Sequence, residues 1–127
     1  MSSSPLVAIV DDDQSIRDAT SNLLQSAGFL TATFADAESF LTSASEPRAA
    51  CLVADMRMPG MSGVQLHQRL AALGAPIPTV LITAYPSDAT RLRAREAGIV
   101  CCLAKPFAPD ELLECVRGVF VGTTPKS

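Results

Sequence analysis

Asp11, Asp12, Asp55, Thr83 and Lys105 share one placement: each stands at the end of a short apolar run. The two acids follow Leu6-Val7-Ala8-Ile9-Val10, and Asp55 follows Cys51-Leu52-Val53-Ala54. Thr83 closes the run that begins at Thr79, and Lys105 closes Val100-Cys101-Cys102-Leu103-Ala104. Adjacent carboxylates repel: unit charges about 4 Å apart cost roughly 4 kcal/mol at an effective dielectric near 20. A cation relieves that, and Mg2+ suits the site because it takes one or two carboxylates, waters and a phosphate oxygen. A carboxylate is also a competent nucleophile toward phosphorus, giving an aspartyl-phosphate. Phosphoryl transfer asks for positioning and charge neutralisation more than for covalent machinery. A hydroxyl and an ammonium can each bind a phosphoryl oxygen. Singly, each residue has a plainer reading: a solvated acidic loop in which Asp13 caps a helix, a loop acid, a structural threonine, a surface lysine. As an ordered set they point to metal-assisted phosphoryl chemistry.

Those residues meet only if the runs are strands of one parallel sheet, whose carboxyl ends line a single edge. The sequence alternates accordingly. Leu6 to Val10 is a β-branched run suited to a strand buried on both faces. Ile16, Ala19, Thr20, Leu23, Leu24 and Ala27 then recur at helical spacing, and Gly28 supplies the stop. Phe29 to Phe34 reads as a second strand, and Asp36 caps a helix holding Ala37, Phe40 and Leu41 that frays before Pro47. Cys51 to Ala54 is the third strand. After the Pro59-Gly60 turn, Ser62 caps a helix carrying Val64, Leu66, Leu70 and Leu73, with Gly74 as its stop. Thr79 to Thr83 is the fourth strand, Ser87 or Asp88 caps a helix to Gly98, and Val100 to Ala104 is the fifth strand. A last helix from about Pro109 presents Leu112, Leu113, Val116 and Phe120, and residues 121–127 read as a tail or linker stub. Five strands alternating with five helices predict an α/β domain with a parallel sheet covered on both faces. Proline after Lys105 gives easier access to a cis peptide bond, a way of aiming the preceding side chain.

Composition bounds the rest. The 127 residues fit one domain, and 48% hydrophobic with 18% charged residues is globular composition. The apolar runs are too short to span a bilayer, and the start resembles no signal peptide, so no membrane association and a cytoplasmic location are expected. A net charge of −3 gives no reason for this domain to grip nucleic acid directly. The four cysteines lack zinc-site spacing and do not read as a disulfide framework; Cys51, Cys101, Cys102 and Cys115 are expected to be small buried hydrophobes. His67 is expected on the solvent side of its helix, without a role. Met56, Met58 and Met61 read as loop packing. No Gly-rich phosphate cradle follows the first strand, which argues against an ATP or FMN site.

With these motifs in order, the chain resembles the receiver domain of two-component response regulators over about residues 5 to 120. The residues that carry the likeness are Val10-Asp11-Asp12, Asp55, Met58-Pro59-Gly60-Met61-Ser62-Gly63, Thr83-Ala84 and Lys105-Pro106-Phe107. The Asp-Met-Arg-Met-Pro and Lys-Pro-Phe wording is most similar to regulators of the nitrogen-fixation type, which carry a helix-turn-helix output domain. The resemblance implies a flavodoxin-like doubly wound sheet of order 2-1-3-4-5 with five helices. It implies Asp55 as phosphoacceptor, and Mg2+ held by Asp12, Asp55 and the backbone carbonyl of Arg57, with Asp11 acting through a bound water. Thr83 becomes the switch hydroxyl and Lys105 the phosphate partner, and the donor a phosphohistidine on a sensor histidine kinase. The chain would catalyse only its own phosphorylation and dephosphorylation.

Three positions depart from the pattern or modulate it. Cys102 stands where many members carry a Tyr or Phe that reports the switch, and a thiol is too small for that. Tyr85 and Arg57 border the expected path of the hydrolytic water, where they either lengthen the phosphoryl lifetime or touch nothing. Arg91 and Arg95, four apart, share a helical face that is either solvated or part of a homodimer surface. That surface would comprise helix 88–97, strand 100–104 and helix 109–121. Two other readings stand beside the switch. A phosphatase of the aspartyl-phosphate type would need an acid two residues beyond Asp55, where Arg57 stands. The other is a receiver-like interaction module that is never phosphorylated.

Overall fold

The computed structural model describes residues 5–42, 49–58, 60–74, 77–84, 87–99, 101–105 and 107–122. Strands β1 (Leu6–Val10), β2 (Leu30–Phe34), β3 (Cys51–Asp55), β4 (Thr79–Thr83) and β5 (Cys101–Ala104) alternate with five helices. These are α1 (Gln14–Ser26), α2 (Ala37–Thr42), α3 (Gly63–Ala72), α4 (Asp88–Glu96) and α5 (Pro109–Gly122). The strands pair in parallel in the order β2-β1-β3-β4-β5, so β3 is central and β2 and β5 are edges. The order and the five helices expected from the sequence are those observed.

Strand periodicity explains the two covered faces. Val7, Ile9, Cys51, Val53, Val80 and Ile82 point to one side, where Leu24 of α1 and Leu112, Val116 and Val119 of α5 close over them. Ala8, Val10, Leu52 and Ala54 point to the other side, against Phe40 of α2 and Leu66 and Leu70 of α3. Leu81 joins Val64, Ala94 and Ile99 on that same side. Each large apolar side chain buried in this way contributes about 1.5–3 kcal/mol.

The helix boundaries follow from caps. Asp13 accepts from the Ser15 and Ile16 amides and starts α1, Ser62 forms a capping box with Gln65, and Ser87 rather than Asp88 caps α4. Asp36 accepts from Ser39 N–H at 2.7 Å at the start of α2. Gly28, Gly74 and Gly98, expected as stops, all have positive φ.

Several expectations are corrected. Leu73, expected within the third helix, is instead the exposed residue that caps the end of α3, and α5 continues to Gly122, past the expected start of the tail. His67 is buried, not solvent-facing: it lies between Val64 and Leu70 at helical spacing, and its Nδ1 is 2.7 Å from the Thr79 hydroxyl. That hydroxyl donates to the Ile77 carbonyl, which leaves its oxygen free to accept from the ring. The cysteines are not four free hydrophobes. Cys51 is buried and free, but Cys101 and Cys115 form a disulfide between β5 and α5, and Cys102 is half-buried. The readings placed on Pro47, Pro59, Tyr85, Val100, Pro106, the Phe120 side chain and residues 123–127 lie outside the described parts.

Candidate functional site

Register brings the five residues together. Val10 pairs with Ala54, Asp55 with Ile82, and Thr83 with Ala104. Asp11, Asp55, Thr83 and Lys105 therefore all lie within a residue of the same sheet edge. Two backbone bonds continue the ladder past the strand ends: Met56 N–H donates to Ile82 O at 2.7 Å, and Lys105 N–H to Thr83 O at 2.8 Å. Behind them Gly63 opens α3 directly under Asp55. A Cβ at that position would stand 2.6 Å from the Asp55 carbonyl oxygen, so only glycine lets the helix start this close.

At the edge, Asp11, Asp12 and Asp55 each present a carboxylate oxygen within 4.8 Å of the others. Asp11 and Asp55 are buried, whereas Asp12 is exposed at the mouth. Lys105 Nζ lies 3.2 Å from Asp55 Oδ2 and 3.6 Å from Asp11 Oδ2, bridging the two buried acids. Asp11 is further fixed by the Asp13 amide, which donates to its Oδ1 at 2.9 Å, and Arg17 Nη1 donates to its carbonyl at 2.7 Å. Burial raises the pKa of the Asp11 carboxyl above the ordinary carboxylate value, with the Asp13 amide opposing and Asp55 adding to the rise. For Lys105 burial works against the charge, but Asp11 and Asp55 outweigh it and hold the ammonium pKa above its usual value.

Around this centre the other expected residues are placed unevenly. Thr83 is buried at the end of β4 and borders a cavity of about 610 Å³ of mixed lining, whose wall includes Met56, Arg57, Ser62, Ser87, Thr90 and Arg93. The Arg57 amide donates to Asp55 Oδ1 at 3.3 Å while its side chain reaches solvent. Cys102 is not at the centre: it packs beside Val64, Leu81, Ala94 and Ile99, where burial raises the thiol pKa and Arg91 partly offsets the rise. On the other flank, Lys105 and Phe107 line a mainly apolar groove of about 580 Å³ with Ile16, Ala19 and Leu23 of α1. The residue that sequence reasoning passed over is Gly63. Its signal is a glycine at the first helical position after a capping serine, a place where backbone approaches closely.

The chain matches the family described as Response regulator receiver domain over residues 7–117. It is 36% identical over 117 residues to the C4-dicarboxylate transport transcriptional regulatory protein DctD of Rhizobium meliloti (strain 1021), covering 92% of this chain and 25% of that protein. It is 35% identical over 111 residues to the transcriptional regulatory protein FixJ of Bradyrhizobium diazoefficiens, covering 87% of this chain and 54% of that one. The chain thus spans a quarter to about half the length of these relatives. The crystal structure of FixJ-N superposes with a TM-score of 0.85 at 32% identity, covering 99% of both chains. Among the described residues no helix is long and apolar enough to cross a membrane.

Proposed function

The chain belongs to the receiver domains of two-component response regulators, and on that premise we propose that Asp55 accepts a phosphoryl group in a Mg2+-dependent transfer from a sensor histidine kinase. The observation that carries the proposal is the gathering of three carboxylates within 4.8 Å around a single bridging ammonium.

The donor set fits the metal. Three hard carboxylate oxygens with one ammonium leave a net negative crevice, and the exposed Asp12 leaves room for waters and a phosphate oxygen. Asp12 and Asp55, with the Arg57 carbonyl, would hold the ion, and Asp11 would act through a water. The bound ion would neutralise charge on the transferring group. The chain's own residues do the rest. An Asp55 carboxylate oxygen attacks phosphorus as the phosphorus–nitrogen bond of the donor breaks, and the electron pair returns to the donor imidazole. Lys105 and Thr83 then bind oxygens of the new phosphoryl group, so Lys105 loosens its hold on Asp11. These contacts exist only in the phosphorylated arrangement and draw a pre-existing equilibrium toward it. A coupling of ~1–3 kcal/mol would change an output contact several-fold or more.

The apolar groove between α1 and Phe107 reaches Lys105 and is the proposed seat for the part of the kinase that carries the phosphohistidine. The face of α4, β5 and α5, where Leu92 is exposed between Arg91 and Arg95 in sequence, is the proposed homodimer surface. Control of transcription through a further output domain is the corresponding proposal for the whole protein. Arg57 is proposed to slow hydrolysis by shielding the phosphoryl group. A dephosphorylation rate left unchanged by Arg57→Ala would remove that role.

Incubation with acetyl phosphate and Mg2+ should add about 80 Da to the intact mass of the wild type and nothing to Asp55→Asn. No addition to the wild type would favour a pure interaction module, and catalytic turnover of small phosphate esters would favour a phosphatase.

A further inference from the structure

We propose that Cys101 and Cys115 form a reversible oxidation site, closed by small-molecule disulfides and opened by thiols, that controls how tightly α5 is held to the edge strand β5. Three placements support this. Cys101 opens β5 and points to the same face as Leu103, where α5 packs, whereas Cys102 points to the α4 side and cannot reach α5. Cys115 lies on α5 three residues after Leu112, at the margin of the same cluster. The two Cα atoms are 6.2 Å apart, inside the range a disulfide spans without moving the backbone. Both thiols are also half-buried rather than sealed, so a small reagent reaches them. Cys51 differs: it is fully buried with its thiol pKa pushed up to about 12 by burial, which makes it inert under the same conditions.

The chemistry is thiol–disulfide exchange with a low-molecular-weight disulfide such as oxidised glutathione. One protein thiolate attacks a sulfur of the reagent, forms a mixed disulfide and expels one small thiolate. The second protein thiolate attacks the protein-side sulfur of that mixed disulfide, closes the Cys101–Cys115 bond and expels the other small thiolate. The two protons lost by the cysteines are taken up by the two released thiols, and the reagent's disulfide is reduced as the protein's is formed. Reduction runs the same steps backward. In a reducing compartment such a pair stays open until the thiol pool is challenged.

The consequence follows from topology. Among the described residues β5 pairs with β4 alone, Lys105 emerges from its far end, and α5 packs against one of its faces. The covalent tie adds a second anchor between that strand and α5. It closes a loop with a sequence separation of 14, a size for which loop-closure entropy raises Tm by roughly 10 °C in a domain of this length.

The test uses the whole chain in glutathione buffers of graded ratio, followed by alkylation under denaturing conditions. The oxidised protein should expose two thiols and the reduced protein four, with a reversible transition between them. Cys115→Ser should lose the redox response, and Cys102→Ser should keep it. Hydrogen exchange of α5 should be slower in the oxidised wild type and insensitive to redox in Cys115→Ser. Four reactive thiols at every ratio, a crosslink that excess reduced glutathione cannot open, dependence on Cys102, or α5 exchange unchanged by oxidation would each overturn the proposal.

Discussion

Replacing Gly63 by alanine tests whether the backbone under Asp55 sets the geometry of the site. The added Cβ would sit 2.6 Å from the Asp55 carbonyl oxygen and 2.6 Å from a Leu81 methyl, against the 3.4 Å at which ordinary contact begins. Leu81 is itself fully buried in the sheet, so neither neighbour yields freely. The strand end or the helix must move by about 0.8 Å, and overpacking of that kind costs about 2–3 kcal/mol. Alanine recovers about 1 kcal/mol through helix propensity, leaving a net loss of about 1–2 kcal/mol. A shift of that size would stretch the Lys105–Asp55 contact from 3.2 Å to about 4 Å, the limit of an ion pair. Misplacing a reacting group by such a distance lowers rates by roughly 10–100-fold. Urea unfolding should therefore show reduced stability, and labelling by acetyl phosphate should slow by more than the loss of folded protein explains. Gly118→Ala is the internal control: nothing lies within 4 Å of its Cβ position, so it should stabilise by about 0.5–1 kcal/mol and label normally. Equal stability and equal labelling of Gly63→Ala and wild type would show that the close approach of Gly63 does not hold Asp55 in place.

Two further predictions follow from the charges. Lys105→Met leaves Asp11 and Asp55 without their shared cation, which should cost about 1–3 kcal/mol in metal-free urea unfolding; because the ammonium no longer competes for the site, Mg2+ should bind the variant more tightly and restore part of the loss. His67 has its pKa lowered by burial, partly opposed by the Ala97 and Ile77 carbonyls. Its unfolded form therefore binds a proton more readily than its folded form, and it contributes a loss of stability as pH falls below about 6.5. The Tm difference between wild type and His67→Asn should narrow on acidification from neutral pH, and a constant difference would contradict that role.

The fold was legible where the sequence carries strong periodicity and plain punctuation. The β-branched runs at Leu6, Cys51 and Thr79 marked strands buried on both faces, and Asp13, Ser62, Gly28 and Gly98 marked helix ends. The site was legible because its residues all follow such runs, so knowing the strands was nearly enough to place them. His67 was misread because a lone titratable side chain was assigned to solvent by type, although its spacing between Val64 and Leu70 put it on the inner face. The Cys101–Cys115 pair was missed for a different reason. Strand alternation put Cys101 on Leu103's side, and helical spacing put Cys115 beside Leu112, but no local pattern states that those two faces meet. Only the packing of α5 on β5 brings them within bonding distance. Gly63 is intermediate: its type signals a close approach, while the object approached, the Asp55 carbonyl, is visible only in the fold.

The most direct test of the central claim is to find the atom on which phosphorus lands. Borohydride reduction after treatment with acetyl phosphate and Mg2+ converts an aspartyl-phosphate to homoserine, about 14 Da lighter than aspartate, at the residue that carried it. Homoserine should appear at position 55 alone, and none should form when the metal is chelated. Homoserine at position 11 or 12, or labelling indifferent to Mg2+, would contradict a Mg2+-dependent transfer to Asp55.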